Sequence, residues 1–168
     1  MDKQGSQSGR YSLIPRTLVF ITRGEDILLL RGAANKRLWA NQYNGIGGHI
    51  EAGEDVLSAA RRELKEETGL DSVDLQLTGT ITIDTGSNPG ILLFVYRGEC
   101  KTDVGSQLLD SVEGRLEWVI QAVLPGLPLV EDLQVLLPKV LSGIPGGEPF
   151  SGHYDYDAQG KLRITFAN

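Results

Sequence analysis

The chain has 168 residues, of which 40% are apolar and 23% charged, and its formal net charge is −6. This composition is typical of one globular domain long enough to bury a core. The acidic excess argues against binding to a nucleic-acid polymer, which needs a basic surface, and no apolar run approaches the roughly 20 residues that cross a membrane.

Residues 1–12 are polar and rich in Gly and Ser. They lack the apolar core of a signal peptide and predict a disordered tail before a single domain over 13–168. The only cysteine is Cys100, which excludes an internal disulfide and fits a reducing, cytoplasmic location. No histidine lies near Cys100 in sequence, so we expect a buried, unreactive thiol.

The first structured elements are a hairpin and a long loop. Apolar and β-branched runs predict strands at 17–22 and 27–31, joined by a turn at 23–26. Residues 35–53 are rich in Gly, Asn and aromatic residues and have no helical period. They predict a loop with a short strand near 46–50.

A helix is predicted at 55–68, where apolar residues recur at helical spacing. Asp55 is its expected N-cap, and Gly69 stands where a glycine ends a helix. The elements predicted after it are strands at 75–84, 91–97 and 116–120, a helix at 131–141, and a hairpin of strands at 152–156 and 161–166 turned at 157–160. We expect Pro138 to bend or shorten the second helix. Strands mixed with two helices indicate a layered α/β domain.

Three carboxylates of the first helix lie at helical spacing. Glu63, Glu66 and Glu67 are at i, i+3 and i+4, so they share one face, away from the apolar stripe. Their mutual repulsion falls if a cation binds there, and oxygen ligands suit hard ions such as Mg²⁺. An ordinary solvated acidic face is the alternative interpretation of these three residues alone.

The loop before the helix favours a ligand site over a solvated face. It is rich in glycine, which lets backbone approach a ligand closely. Arg62 can pair with Glu54, which would hold the loop against the helix, and with Glu66 one turn on. Loop, arginine and carboxylate face together predict a functional site.

Residues 48–70 read GHIEAGEDVLSAARRELKEETGL and resemble the Nudix box, G-x5-E-x7-R-E-U-x-E-E-x-G-U with U aliphatic. All nine specified positions match: Gly48, Glu54, Arg62, Glu63, Leu64, Glu66, Glu67, Gly69 and Leu70. The resemblance implies an α/β/α sandwich around a mixed sheet. It also implies Mg²⁺-dependent hydrolysis, with Mn²⁺ as a substitute, of a phosphoanhydride in a nucleoside diphosphate linked to another group.

The resemblance assigns roles to individual residues. It makes Glu63 and Glu67 metal ligands, Glu66 a further ligand directly or through water, and Gly48 the donor of a backbone carbonyl. Glu54 and Arg62 become the pair that orients loop and helix. A carboxylate must also take a proton from the attacking water. The family uses either a helix glutamate or one from a later loop, for which Glu113 is our candidate; a surface acid is the alternative for Glu113.

The resemblance extends to the MutT-type enzymes that hydrolyse oxidised purine nucleoside triphosphates. Residues 43–48 (YNGIGG) resemble W-N-G-F-G-G, which makes Asn44 a purine contact, since an amide both donates and accepts hydrogen bonds. A turn residue before Gly45 is the alternative. Residues 150–154 (FSGHY) resemble F-H-G-Y-F near that subgroup's carboxyl terminus.

A second base-reading segment is residues 129–132 (LVED), which resemble W-P-D-D. Asp132 matches, Glu131 is one methylene longer than the family's Asp, and Leu129 replaces the Trp. Alternatively, Glu131 and Asp132 simply begin the last helix, where acids favour the helix dipole.

The sequence is consistent with three functions. The first is hydrolysis of a purine nucleoside triphosphate to the monophosphate and pyrophosphate. The second is hydrolysis of another linked diphosphate, such as ADP-ribose or a dinucleoside polyphosphate. The third is a non-catalytic nucleotide-sensing module. The expected partner in each case is a small nucleotide.

Overall fold

The computed structural model describes residues 9–101, 108 and 113–167. Residues 1–8 of the predicted tail lie outside this range. The tail residues closest to the domain contact it, since the Asn88 side chain accepts from the Ser12 N–H at 2.9 Å and donates to the Arg10 carbonyl at 3.1 Å.

Eight strands lie within the described residues: β1 Leu13–Arg23, β2 Asp26–Gly32, β3 Tyr43–Asn44, β4 Leu75–Ile83, β5 Gly90–Glu99, β6 Gly114–Ile120, β7 Phe150–Tyr156 and β8 Leu162–Phe166. They form one sheet in the order β3-β2-β1-β5-β4-β7-β8, with β6 also paired to β2. The β1–β5 and β4–β7 pairs are parallel and the other strand pairs are antiparallel, so the sheet is mixed.

The two edges of β1 are used differently. One edge pairs with β5 along ten residues, from Leu13 to Thr22. The other edge pairs with β2 only at 21–23. The rest of that edge is left to the loop after β3, which bridges β1 at two isolated points, Val19 with Ile46 and Arg16 with His49. The predicted continuous strand at 46–50 was therefore wrong, because single bridges replace a ladder there.

Helix α1, Val56–Thr68, begins and ends where the sequence predicts. The Asp55 carboxylate accepts hydrogen bonds from the Leu57 and Ser58 N–H groups at 2.9 and 3.0 Å, which satisfies two donors of the first turn. Gly69 ends the helix with φ of 78°, and its N–H donates to the Lys65 carbonyl. A left-handed glycine is a common helix end because glycine has no Cβ to clash.

Helix α2, Leu133–Ser142, begins two residues later than predicted. Glu131 and Asp132 precede it, and the Asp132 side chain makes no capping hydrogen bond. Asp132 is nevertheless the N-cap residue, and its carbonyl accepts from the Leu136 N–H at 2.9 Å, so the two acids lie at the helix N-terminus as the alternative interpretation proposed. Pro138 lies inside α2 without ending it. A short 3-10 helix, Gln121–Gly126, which the sequence analysis did not predict, precedes α2.

Alternate residues of β1 point to opposite faces of the sheet, as strand geometry requires. Leu18 and Phe20 pack in a cluster with α2, and Val19 and Ile21 pack in a cluster with α1. One helix thus covers each face, which confirms the predicted α/β/α sandwich. Cys100 is buried in the α1 cluster. Across the described residues, no helix is long and apolar enough to span a membrane.

Candidate active site

The loop after β3 is fixed along the free edge of β1. The Val19 N–H donates to the Ile46 carbonyl at 2.6 Å, and the Thr17 N–H donates to the Gly48 carbonyl at 2.9 Å. Between these bonds Gly47 has φ of 150°, and a Cβ there would collide with the Thr17 carbonyl. Only glycine lets this loop follow β1 so closely.

The predicted ligand Glu63 packs directly on Gly48. A Cβ at Gly48 would lie 2.5 Å from Glu63 Oε1 and 2.8 Å from Oε2, so any side chain there would displace the carboxylate. The Gly48 carbonyl, which accepts one hydrogen bond from Thr17, keeps a second lone pair for a ligand. The loop glycine and the helix carboxylate therefore form one surface.

Arg62 holds the loop to α1 through several hydrogen bonds. Its Nη2 lies 2.7 Å from Glu54 Oε1 and 3.1 Å from the His49 carbonyl oxygen. Its Nη1 donates to Glu63 at 2.9 Å and approaches Glu66 at 3.4 Å. The predicted pairs of Arg62 with Glu54 and Glu66 are thus present, and the pair with Glu63 is an addition. Glu54 and Glu63 are mostly buried, whereas Glu66 is 60% exposed.

Glu67 is a partly buried carboxylate of the site. Its Oε2 is buried and has no hydrogen-bond partner among the residues that the structure describes. Burial is the main cause that raises the pKa of Glu67 to about 7, with smaller contributions from the charges of Glu63 and Glu113. The Gly47 backbone N–H and the Lys36 charge act in the opposite direction. A buried carboxylate of this kind is stabilised by a positive charge.

Glu113, the loop candidate for the base, lies close enough to Glu67 to repel it electrostatically. Lys36 forms an ion pair with Glu113 and also acts on Glu67. No sequence pattern marks Lys36, since it lies in a loop 77 residues before Glu113. The fold brings both residues to the α1 carboxylates.

The raised pKa of Glu67 predicts a pH-dependent stability in the metal-free protein. A carboxyl whose pKa rises from 4.5 to about 7 on folding binds its proton more tightly in the folded state. The free energy of unfolding should therefore fall as pH rises from about 4.5 to 7, by roughly 1–3 kcal/mol after solvent screening. Urea unfolding in EDTA across this range measures the slope. Glu67→Gln should flatten it between pH 5 and 7, and an unchanged slope in this variant would contradict the assignment.

The residues predicted to read the base lie at the α2 side. Burial raises the pKa of Asp132 to about 6, and the neighbouring Glu131 charge contributes. Tyr154 of β7 acts on Asp132 in the opposite direction as a hydrogen-bond donor in reach of the carboxylate. The Tyr154 hydroxyl is itself buried without a hydrogen bond of good geometry. A bound polar ligand edge could complete this pair.

Asn44 and Leu129 flank the same region. The Asn44 carboxamide oxygen accepts from the Gly45 N–H at 2.8 Å, the local bond of a turn residue, which leaves its NH₂ group available as a donor. Leu129 is buried and bridges Tyr43, whose hydroxyl donates to Glu117 at 2.7 Å. Leu129 therefore serves the core, and Glu131 is exposed.

The oxygen atoms at the site provide part of a ligand set for a divalent cation. No group of three or more His, Cys, Asp or Glu side chains converges as a ready-made ligand set in the part of the chain that the structure describes. The reason is visible in the contacts, since Arg62 binds Glu63 and Glu66 is exposed. The unpartnered oxygen of Glu67, the adjacent Glu63 and the Gly48 carbonyl nevertheless form an all-oxygen donor set that suits a hard cation.

The protein thus has a mixed sheet between two helices, and a glycine-rich loop packs on the carboxylate-bearing helix α1. The family model described as the NUDIX domain matches residues 13–139, and the chain therefore belongs to the Nudix family. It is an enzyme, a Nudix hydrolase of MutT-like type, and this family generally uses divalent cations.

Individual relatives agree with this assignment. The chain is 27% identical to the oxidized purine nucleoside triphosphate hydrolase of Mus musculus over 144 residues, or 85% of this chain and 86% of the mouse protein. It is 29% identical to the NAD-capped RNA hydrolase NudC of Pseudomonas aeruginosa (strain LESB58) over 116 residues, which are 69% of this chain but 39% of NudC. The crystal structure of the MutT protein from Bacillus halodurans has the same fold, with a TM-score of 0.75 at 24% identity, over 92% of this chain and 97% of that one.

Proposed function

We propose that this enzyme hydrolyses a phosphoanhydride bond of a purine nucleoside triphosphate, releasing the monophosphate and pyrophosphate, with Mg²⁺ as its cation. The observation that carries the proposal is the buried, unpartnered carboxylate oxygen of Glu67, which lies on the glycine loop beside Glu63. A carboxylate in this setting needs a cation, and a phosphoanhydride needs one as well.

Glu63, Glu67 and the Gly48 carbonyl would hold Mg²⁺, with Glu66 as a further ligand after a side-chain rotation. When bound, the cation neutralises charge on the phosphoryl oxygens and makes a nearby water more acidic. The chain's own residues do the rest. Arg62 and Glu54 keep the loop on α1, and Glu67 or Glu113 accepts the proton of the attacking water.

The purine assignment is supported by two residues on the α2 side of the sheet. Asp132 and Asn44 offer a carboxyl and an amide there, and both groups suit the mixed donors and acceptors of a purine edge. The name of the mouse relative points to the same substrate class. The acidic chain and its single buried cysteine support a small-molecule substrate in a reducing, cytoplasmic compartment.

A substrate panel tests the proposal. Normal and oxidised purine and pyrimidine triphosphates, ADP-ribose, NAD and a dinucleoside polyphosphate are incubated with enzyme and Mg²⁺, and products are separated by chromatography. We expect the highest kcat/KM on a purine triphosphate, with monophosphate and pyrophosphate as products. Preference for ADP-ribose, NAD or the dinucleotide would contradict the triphosphate assignment. Tight binding without turnover would indicate the sensing module.

Asp132→Ala and Asn44→Ala should weaken discrimination among bases. A site that hydrogen-bonds one base edge leaves buried polar groups unpaired when the wrong base enters. Each lost contact should cost roughly 1–3 kcal/mol in kcat/KM for the preferred purine. Pyrimidine triphosphates serve as the internal control and should lose little, and the Mg²⁺ dependence should not shift. Equal losses on all substrates would mean that these residues act on folding instead.

A further inference from the structure

A guanidinium outside the Nudix box lies beside the site. Arg16 of β1 donates to Nε2 of His49 from both Nε and Nη2, at 3.1 and 2.9 Å. Arginine has no acceptor, so Nε2 of His49 accepts both bonds. These bonds use two of the five N–H groups of Arg16, and among the described residues the other three have no hydrogen-bond partner.

The cations next to the carboxylates differ in how they are neutralised. Arg62 is paired with Glu54 and Glu63, and Lys36 is paired with Glu113. Among the described residues, no carboxylate lies within ion-pair distance of Arg16, which donates to the imidazole of His49 instead. Arg16 therefore keeps its full positive charge, while the charges of Arg62 and Lys36 are used inside the protein.

The position of Arg16 on β1 connects the α2 face of the sheet with the glycine loop. It is two residues before Leu18 and pairs with Leu93 of β5, so its side chain lies on the α2 face, as does Asp132 before Leu133. The following residue, Thr17, binds the Gly48 carbonyl, and Gly48 contacts Glu63 from the α1 face. Arg16 is therefore linked through Thr17 and Gly48 to the loop that packs on Glu63.

We propose that Arg16, held in place by His49, binds a phosphate of the substrate. This contact fixes the nucleotide between Asn44 and Asp132, the residues proposed to read the base, and the α1 carboxylates. This inference rests on the proposed function for the identity of the substrate. The remaining N–H donors of the guanidinium match phosphate oxygens in a planar fork, which a lysine ammonium cannot reproduce. His49 acts as a positioning residue that restricts the rotamers of Arg16.

Binding experiments separate this role from a structural one. Isothermal titration with Mg²⁺ present uses three probes: a non-hydrolysable purine triphosphate analogue, the corresponding nucleoside, and inorganic tripolyphosphate. Arg16→Ala should weaken the triphosphate analogue and tripolyphosphate by about 10- to 100-fold and leave the nucleoside unchanged, because only charge-assisted bonds to phosphate are lost. Arg16→Lys should recover part of this loss, and His49→Ala should cause a smaller loss.

Arg163→Ala is the matched control, since that arginine pairs with Asp155 in the β7–β8 hairpin and should leave all three affinities unchanged. If wild type and Arg16→Ala bind tripolyphosphate and the analogue equally, the role of Arg16 is wrong and the proposed function stands. If Arg16→Ala weakens the nucleoside as much as the analogue, Arg16 acts on the base pocket and the inference is wrong. If wild type binds tripolyphosphate but not the analogue, and Arg16→Ala weakens tripolyphosphate, the phosphate role holds and the purine assignment fails. If wild type binds neither phosphate probe, both proposals fail.

Discussion

Glu67→Gln should reduce kcat by far more than tenfold and leave the protein folded. The substitution keeps the size of the side chain but removes the charge from the buried carboxylate that accepts from the Gly47 N–H. It also relieves repulsion with Glu63 and Glu113, so stability in EDTA at pH 7 and above should hold or rise. Steady-state kinetics on the preferred triphosphate and a urea unfolding curve together measure both effects.

The control for this variant is Glu51→Gln, since Glu51 is an exposed glutamate of the same loop whose side chain makes no contact with the α1 carboxylates. It should keep wild-type kcat. A Glu67→Gln enzyme that retained more than a tenth of wild-type kcat, a loss of only ~1.4 kcal/mol in transition-state stabilisation, would remove Glu67 from the catalytic machinery.

Exhaustive chelation should abolish turnover, and adding back Mg²⁺ or Mn²⁺ should restore it. The attacking water must lose a proton, and the pKa of Glu67 is about 7 in the cation-free protein. A cation binds the ionised carboxylate, so it competes with this proton. At limiting Mg²⁺ the activity should therefore rise as pH increases through about 7, and saturating Mg²⁺ should move the midpoint to lower pH.

Rates measured from pH 5.5 to 9 at two Mg²⁺ concentrations test this directly. Calcium-free buffers and a metal analysis of the purified enzyme exclude carried-over cations. Full activity after chelation, with no metal detected, would contradict the whole mechanism. A midpoint that did not respond to Mg²⁺ would place the titrating group elsewhere.

The local elements were predictable from the sequence, because their signals lie within a few residues. Helix α1 begins and ends as predicted, since Asp55 and Gly69 act within one turn of the residues they cap. The pair of Arg62 with Glu54 was predictable for the same reason, since Glu54 lies just before α1 and Arg62 lies in its second turn. The fold class followed from the Nudix resemblance, which rests on nine positions of one segment.

The long-range arrangement was not predictable in the same way. The strand expected near 46–50 exists only as single bridges to the edge of β1 that β5 leaves free, an arrangement that forms only in the folded sheet. Helix α2 begins at Leu133, two residues later than predicted. It follows a 3-10 helix that no periodic pattern in the sequence marks. Lys36 and Arg16 reach the site only through tertiary folding, so no motif marked them.

The α1 carboxylates and Asp132 lie on the sides of the sheet that are packed by different helices, and this separation affects how the enzyme can change. The carboxylates are carried by α1, which packs on one face of the sheet, and Asp132 is the N-cap of α2, which packs on the other. Residues in separate clusters with no shared partner usually have additive effects on stability. Libraries that randomise the α2 side could thus alter the accepted base while the hydrolytic half is inherited unchanged, which makes this chain a suitable starting scaffold for directed evolution of new nucleotide selectivities.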